Sequence, residues 1–434
     1  MREVKMQLNG RGGVWVVIGL IALAGVLATA GILPAAQGPN SDAQGPKRPP
    51  QVDPQGFEST DDLLRDIQRA ERGPEYSVWL VESSRFVNVP FGSFMPDRDF
   101  INSATPGHDI QFIDFPVNLG IIKGPDGSIT LYDSGWKQLA YIFDWNTSCC
   151  WDDLRHQMEM IGLDPKSVTR IVLGHGHWDH AGQIDSFPGA TVFIQKEELD
   201  QIDFFLDYPT QFNQGHIRAV NTVNPLTGAQ VGPPQQACAR SPVCGYPPQT
   251  VQEILGAVLA HRAEVVNGRR EIAPGLIVHP AFRGHTYGSE LLQVNTARGQ
   301  LVFGSDTYSS WEGLRDWNVA NIQQTDTIQQ MLAYEKCYVL TSTSGGRSFN
   351  NCLAAHERLS YSNDYPITKD WWTIPDGNCS RAAELTLAKG EKSHIPANVA
   401  TGTTVVNQQT VPYRIDATTC KNTVAVVPPH TITP

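Results

Sequence analysis

The run His175-Gly176-His177-Trp178-Asp179-His180 constrains this chain more than any other segment, because it packs four potential metal ligands into six residues. It closes an apolar stretch, Val168-Thr169-Arg170-Ile171-Val172-Leu173-Gly174, which reads as a buried strand. Along an extended chain alternate side chains point the same way, so His175 and His177 can close on one ion while Asp179 and His180 turn toward a second. A His-rich surface loop is the bland alternative, and the spacing argues against it.

Three later positions carry the same chemistry. They are His285 in Arg283-Gly284-His285-Thr286-Tyr287-Gly288, Asp306 in Phe303-Gly304-Ser305-Asp306, and His356 in Leu353-Ala354-Ala355-His356-Glu357. Each follows or ends an apolar run, where a tight turn brings a ligand to a sheet rim. Any one alone would pass for a surface residue. In this order after His-x-His-x-Asp-His they form one pattern.

With these residues the chain resembles the metallo-β-lactamase superfamily over about 76–361, which implies an α/β fold of αβ/βα type, a four-layer sandwich. The resemblance implies His175, His177 and His285 at a first metal, Asp179, His180 and His356 at a second, and Asp306 bridging the two. His356 departs from the family text, since Ala355 precedes it and Glu357 follows, and His394 is the fallback ligand. Asp133, in Asp133-Ser134-Gly135, looks like the family's early Asp-x-Gly turn, which supports the metal loops. An ordinary strand-ending turn reads equally well.

A bridging carboxylate at Asp306 sets the chain apart from the class B β-lactamases and makes it similar to quorum-quenching N-acyl homoserine lactonases. His180-Ala181-Gly182 and the spacings from His285 to Asp306 to His356 are similar to theirs as well. Those enzymes place a substrate-binding tyrosine three residues after the Asp. Here Tyr308 lies at plus two and Ser309 at plus three, so Tyr308 enters as a candidate oxyanion donor. The expected chemistry is attack on a lactone or related carboxylic ester by a hydroxide held between two divalent metal ions, with Asp179 orienting or accepting the proton. An all-His/Asp shell favours zinc, though iron, manganese or cobalt also suit such donors. Alternatives on the same fold are a phosphotriesterase or other ester or thioester hydrolase, a mononuclear iron persulfide dioxygenase, and a binding protein with a vestigial site. For Trp136, Trp178 and Trp311 core packing is the plainer reading.

Composition narrows the partners. The 434 residues carry a net charge of −11 and no Lys/Arg block, which disfavours nucleic acid and leaves a small-molecule substrate. Arg2, Lys5 and Arg11 precede an apolar run from Val14 to Leu33, which reads as an export signal. Ala28-Thr29-Ala30 offers a cleavage site, and the same stretch is long enough to stay as a membrane anchor. Both routes put the remainder outside the cytoplasm, in the periplasm or secreted. Eight cysteines suit that compartment, and Cys238 with Cys244 is the easiest pair to guess, although pairing does not follow from sequence. Oligomeric state is open.

The expected organisation is a signal or anchor over 1–33, a disordered tether and short helix over 34–75, a catalytic domain over 76–361, and a C-terminal extension over 362–434 packed on that domain. Ser59 or Thr60 should cap the short helix, with Gly73-Pro74 as its stop. Strands are expected at 77–81, 111–117, 120–122, 128–132, 168–174, 191–195, 275–279, 290–295 and 300–303. Helices are expected at 151–161, from 181 to 187, and at 322–335. The segment 200–270 reads as a long insertion of weak periodicity, a lid over the site or disordered.

Overall fold

The computed structural model describes residues 57–90, 112–136, 151–207, 245–246, 248–319, 326–342, 349–361, 370–374 and 380–397, with short pieces at 218–220, 235–237, 414–415 and 422–423. The apolar run 14–33, the tether and the Cys238/Cys244 pair lie outside them. Among the described residues no helix is long and apolar enough to cross a membrane.

Among the described residues, besides two short strands, Arg414–Ile415 and Asn422–Thr423, that pair with each other, fifteen strands in chain order build two main sheets and a small hairpin. They are β1 Ser77–Pro90, β2 Phe112–Lys123, β3 Ile129–Tyr132, β4 Val168–Val172, β5 Thr191–Gln195, β6 Arg218–Val220, β7 Gln235–Ala237, β8 Ala263–Val266, β9 Arg270–Ala273, β10 Leu276–Pro280, β11 Glu290–Thr296, β12 Gly299–Phe303, β13 Cys352–Leu353, β14 Asp370–Thr373 and β15 Arg381–Thr386. The larger sheet has the order β14-β15-β1-β2-β3-β4-β5-β8 and the smaller β13-β12-β11-β10-β9, while β6 and β7 pair by themselves. In the larger sheet β1, β2 and β3 run as an antiparallel meander. From β3 onward β4, β5 and β8 are parallel neighbours.

Side-chain parity makes four layers out of two sheets. Val78 and Leu80 of β1 meet Leu276, Val278, Leu292, Val294 and Phe303 of the smaller sheet in one buried cluster. Their neighbours Trp79 and Val81 face the other way, into a cluster with Leu154 and Met158 of the Leu154–Met160 helix and Ile254 and Ala257 of the Pro248–Leu259 helix. On the far side of the smaller sheet, Leu291 and Val302 pack on Leu63 and Ile67 of the Thr60–Ala70 helix and on Ala333, Tyr334 and Leu340 of the Thr327–Leu340 helix. Helices on the outside and two sheets face to face are the αβ/βα sandwich; alternation along each strand supplies both of its faces.

Several elements differ from the sequence expectation. The stretches 111–117 and 120–122 form one strand, β2, because Asn118 does not break it. Instead its backbone N–H donates to Ala355 O at 2.8 Å and its side chain reaches Glu357 O at 3.3 Å, which fastens β2 to the His356 loop. The helix expected from 181 to 187 is a single turn, Trp178–Ala181, followed by a 3-10 turn at Ile184–Ser186. Gly182 N donates to Gly135 O at 2.7 Å there and draws the backbone off the helical path. Within 200–270 only part behaves as an insertion. The Pro248–Leu259 helix and β8 complete a parallel unit beside β5, with Ile254 and Ala257 on the buried face.

The C-terminal boundary also moves. β15 pairs antiparallel with β1, Trp79 opposite Glu384 and Leu80 opposite Ala383, so the larger sheet continues past 361 into the stretch expected as an extension. Glu82 on β1 and Arg381 on β15 form a fully desolvated pair at 2.7 Å, joined by Arg85. A buried carboxylate held by two guanidiniums binds the two stretches in one register. Cys337 and Cys352 form a disulfide between the Thr327–Leu340 helix and β13.

Candidate metal centre

The two sheets end together, and the loops leaving them carry the predicted ligands. His175 follows β4, His285 lies in the β10–β11 connection, Asp306 follows β12 and His356 follows β13. His175, His177, His285 and Asp306 form one buried cluster whose ligand atoms all lie within 4.8 Å of one another, and Asp179, His180, Asp306 and His356 form a second. Asp306 belongs to both. The structure therefore brings all seven residues together.

Distances within each cluster suit one ion. Ligands in tetrahedral array at roughly 2.1 Å from a zinc-sized ion stand about 3.4 Å apart. In the first cluster His285 Nε2 is 3.1 Å from His177 Nδ1 and 3.4 Å from Asp306 Oδ2, and His175 Nε2 is 4.0 Å from the same oxygen. In the second, His180 Nε2 lies 3.3 Å from Asp179 Oδ2 and 3.4 Å from Asp306 Oδ1, and His356 Nε2 lies 2.9 Å from Asp306 Oδ1. One oxygen of Asp306 faces each cluster. His175 Nε2, His180 Nε2 and Asp306 Oδ1 are buried and make no hydrogen bond of good geometry. Orphaned polar atoms converging on two points are what a pair of cations would satisfy.

The tautomers point the same way. His175 Nδ1 lies 3.0 Å from Ser305 Oγ, His180 Nδ1 2.9 Å from Asp133 Oδ2, and His356 Nδ1 2.8 Å from Pro116 O. An N–H donated to each oxygen leaves the lone pair of Nε2 turned into the clusters. Asp133 holds both sides of this loop, because Oδ1 accepts the Gly174 N–H at 2.7 Å while Oδ2, the oxygen facing His180, accepts from Ser305 Oγ at 2.7 Å. Gly174 has to be glycine, since a Cβ there would sit 2.4 Å from Ser305 Cβ.

Burial holds the His175 and His177 imidazoles well below the usual histidine range, reinforced by neighbouring histidines, and lowers His285 to about 4. These rings are neutral, the form that coordinates metal. Burial opposes charge at His180 and His356 too, but Asp179, Asp306 and, at His180, Asp133 outweigh it and raise both. Burial likewise opposes charge on Asp306, and His356 and His180 overcome it, holding the carboxyl well below its ordinary value.

Two candidates fall elsewhere. The Tyr308 ring is fully buried in the apolar cluster with Leu314, Ala333 and Tyr334, and its hydroxyl donates to Val302 O at 3.1 Å. It therefore does not present an oxyanion donor to the clusters. The Ser305–Tyr308 3-10 turn is the cause: with Asp306 at the rim, the residue two positions on points into the core. His394 sits against Trp79, with Nδ1 2.9 Å from Ile161 O, and joins neither cluster. Of the tryptophans, Trp136 stacks on Trp178 at 4.4 Å, and Phe86 bridges Trp178 and His356 edge-on at 5.5 and 5.7 Å. Packing and a place beside the clusters coincide there. Trp311 starts a short helix and donates its backbone N–H to Glu357.

Sequence reasoning did not find Ser305, Glu198 or Tyr246. Ser305 precedes Asp306 and was legible as part of its turn. Glu198 opens the Lys196–Asp207 helix, fully buried, and accepts hydrogen bonds from Gly176, Tyr246, Thr286 and Gly288. Those partners lie 22 to 90 residues away, so no local pattern announces it.

The profile of the metallo-beta-lactamase superfamily matches residues 113–334. This chain belongs to that superfamily, whose fold the four layers reproduce. Among curated proteins it is similar to the N-acyl homoserine lactonase AiiB of Agrobacterium fabrum, 24% identical over 127 residues, covering 26% of this chain and 45% of that protein. It is also similar to the N-acyl homoserine lactonase of Bacillus cereus, 26% identical over 133 residues, covering 28% of this chain and 52% of that protein. The chain spans about half the length of these relatives. Solved structures similar to it include Bacillus thuringiensis AiiA with N-decanoyl-L-homoserine bound, at TM-score 0.43 and 15% identity over 66% of this chain and 94% of that one. Another is AidC, a dizinc quorum-quenching lactonase, at TM-score 0.43 and 17% identity over 66% and 89%.

Proposed function

We propose that the protein is a metal-dependent hydrolase that opens a lactone of the N-acyl homoserine lactone kind, or a related carboxylic ester, at two divalent ions, zinc by preference. The observation that carries this reading is Asp306, whose two oxygens face two separate ligand clusters. His175, His177 and His285 would hold one ion, Asp179, His180 and His356 the other, and Asp306 both. Bound there, the ions would supply Lewis acidity toward a carbonyl and an activated water near neutral pH.

The side chains do the rest. Asp179 Oδ2 stands 3.3 Å from His180 Nε2 and 3.6 Å from His356 Nε2, a carboxylate of the second cluster that would orient or accept a proton. Phe86, Trp136 and Trp178 form a buried aromatic cluster that meets His356 through Phe86, apolar surface that would suit an acyl group next to the second ion position. The relatives' lactone chemistry supports the substrate class, and the apolar N-terminal run supports action outside the cytoplasm, secreted, periplasmic or anchored through residues 14–33.

Elemental analysis of the purified full chain, with ring-opening assays on an acyl homoserine lactone and on paraoxon, tests the proposal. Two equivalents of metal and chelator-sensitive lactone opening are expected. A clear preference for paraoxon would overturn the substrate class, and His177→Ala with unchanged activity would overturn the metal centre.

A further inference from the structure

We propose that Glu198 is the positioning residue of the first metal position, with Tyr246 as its brace from the 200–270 segment; the inference rests on the two-metal reading. The Glu198 carboxylate is fully buried and takes four donors on two oxygens. Oε1 accepts the Gly176 N–H at 2.6 Å and the Tyr246 hydroxyl at 2.5 Å. Oε2 accepts the Thr286 hydroxyl at 2.7 Å and the Gly288 N–H at 2.9 Å. One side chain thereby fastens the backbone between His175 and His177 and the backbone just past His285. Those three histidines are all the nitrogen donors of the first cluster.

The second cluster has a different support. Asp133 orients His180, and Pro116 O orients His356. Among the described residues the Glu198 hydrogen bonds end at Gly176, Tyr246, Thr286 and Gly288, away from Asp179, His180 and His356.

Tyr246 ties the long segment into the same device. Its ring stands edge-on to His177 at 4.8 Å, and the preceding Gly245 accepts the Trp178 N–H at 2.9 Å. Gly245 has φ +89°, and a Cβ there would fall 2.2 Å from His177, so the backbone meets the imidazole with no side chain between them. A carboxylate is the side chain this arrangement requires, because all four groups donate. Glutamine would turn its NH₂ toward one backbone N–H, losing that bond and opposing donor to donor, while the hydroxyl beside it would have to turn from donor to acceptor.

The experiment uses the full-length chain with zinc and a chromophoric chelator, which resolves the release of two ions, and cobalt loading, whose visible spectrum reports ligand geometry. His177→Ala and His356→Ala identify which step belongs to which position. Glu198→Gln should weaken the step identified by His177→Ala by about 10- to 100-fold and shift the cobalt bands, leaving the other step within about threefold. Asp133→Asn should weaken both steps, because Asp133 orients His180 and also accepts the Gly174 N–H next to His175. Tyr246→Phe and Thr286→Val each remove one donor, so each should weaken the same step as Glu198→Gln, by about three- to tenfold, and they serve as the test if Glu198→Gln does not fold.

Both steps unchanged in the Glu198, Tyr246 and Thr286 variants would overturn the inference. So would equal weakening of both steps with a lower melting temperature of the metal-free protein, the signature of a purely structural role. A wild-type chain that takes up no metal would instead sink the metal-centre reading itself, an outcome the chelator titration separates from the others.

Discussion

At the scale of single residues, position in the sequence and position in space part company at Tyr308. Two residues after Asp306 it sits where a relative's substrate-binding tyrosine would nearly fall, yet the 3-10 turn sends its ring into the core and its hydroxyl to Val302 O. Tyr308→Phe should leave turnover within about threefold and lower stability by about 1 kcal/mol, the worth of one buried hydrogen bond, as steady-state kinetics and urea unfolding would measure. A hundredfold loss of turnover at unchanged stability would contradict that placement. Glu290 gives a second residue-scale prediction. Burial pushes its carboxyl up to about 8, with Gln195 opposing, so the folded protein keeps a proton that the unfolded chain gives up near 4.5. Its folded value is the higher one, so its contribution to stability is complete below about pH 4.5 and is lost as pH rises toward 8. Glu290→Gln should remove this loss and gain on the order of 1 to 3 kcal/mol at pH 8 relative to pH 4.5, read from denaturation midpoints at the two pH values.

At the scale of elements, legibility followed local period. β5 at 191–195 coincides with its expected bounds, and the Thr60–Ala70 helix begins at its expected cap, where Ser59 Oγ accepts the Asp62 N–H at 3.2 Å. The Pro248–Leu259 helix is absent from the sequence expectation because the segment around it reads as weakly periodic, although Ile254 and Ala257 lie one turn apart on its buried face. Asn118 misled in the other direction, since a polar residue inside an apolar run reads as a break unless its distant partners at Ala355, Glu357 and Ser360 are known. The Cys337–Cys352 disulfide joins the Thr327–Leu340 helix to the strand that leads into His356, closing a loop of 15 residues. Cys337→Ala with Cys352→Ala should lower stability by about 3 kcal/mol in the chain-entropy account. A melting temperature indifferent to reductant and to the double substitution would remove that role.

At the scale of the whole molecule, the larger sheet depends on contacts between residues 299 positions apart. β15 lies beside β1, and Arg381 shares the desolvated Glu82 carboxylate with Arg85. Burial raises the Glu82 carboxyl and the two arginines overcome it, leaving it below its ordinary value. Arg381→Ala keeps the carboxylate buried while removing one of its guanidiniums, which should cost about 3 to 5 kcal/mol in equilibrium unfolding. A loss under 1 kcal/mol would mean that the C-terminal strands are dispensable to the sheet.

Sequence by itself determined the candidate ligands and their order, His175, His177, Asp179, His180, His285, Asp306 and His356, because metal chemistry restricts side chains by type and the first four by spacing. It also determined most of the strands, through short apolar runs that are buried on both faces of the sheets. The tertiary structure alone decided that Asp306 turns one oxygen to each cluster, that Tyr308 and His394 stay outside both, and that Glu198 fastens two ligand loops at once. Apart from the six-position step from Tyr308 to Val302, those outcomes depend on contacts between residues tens to hundreds of positions apart, which exist only once the sheets have brought the loops to one rim.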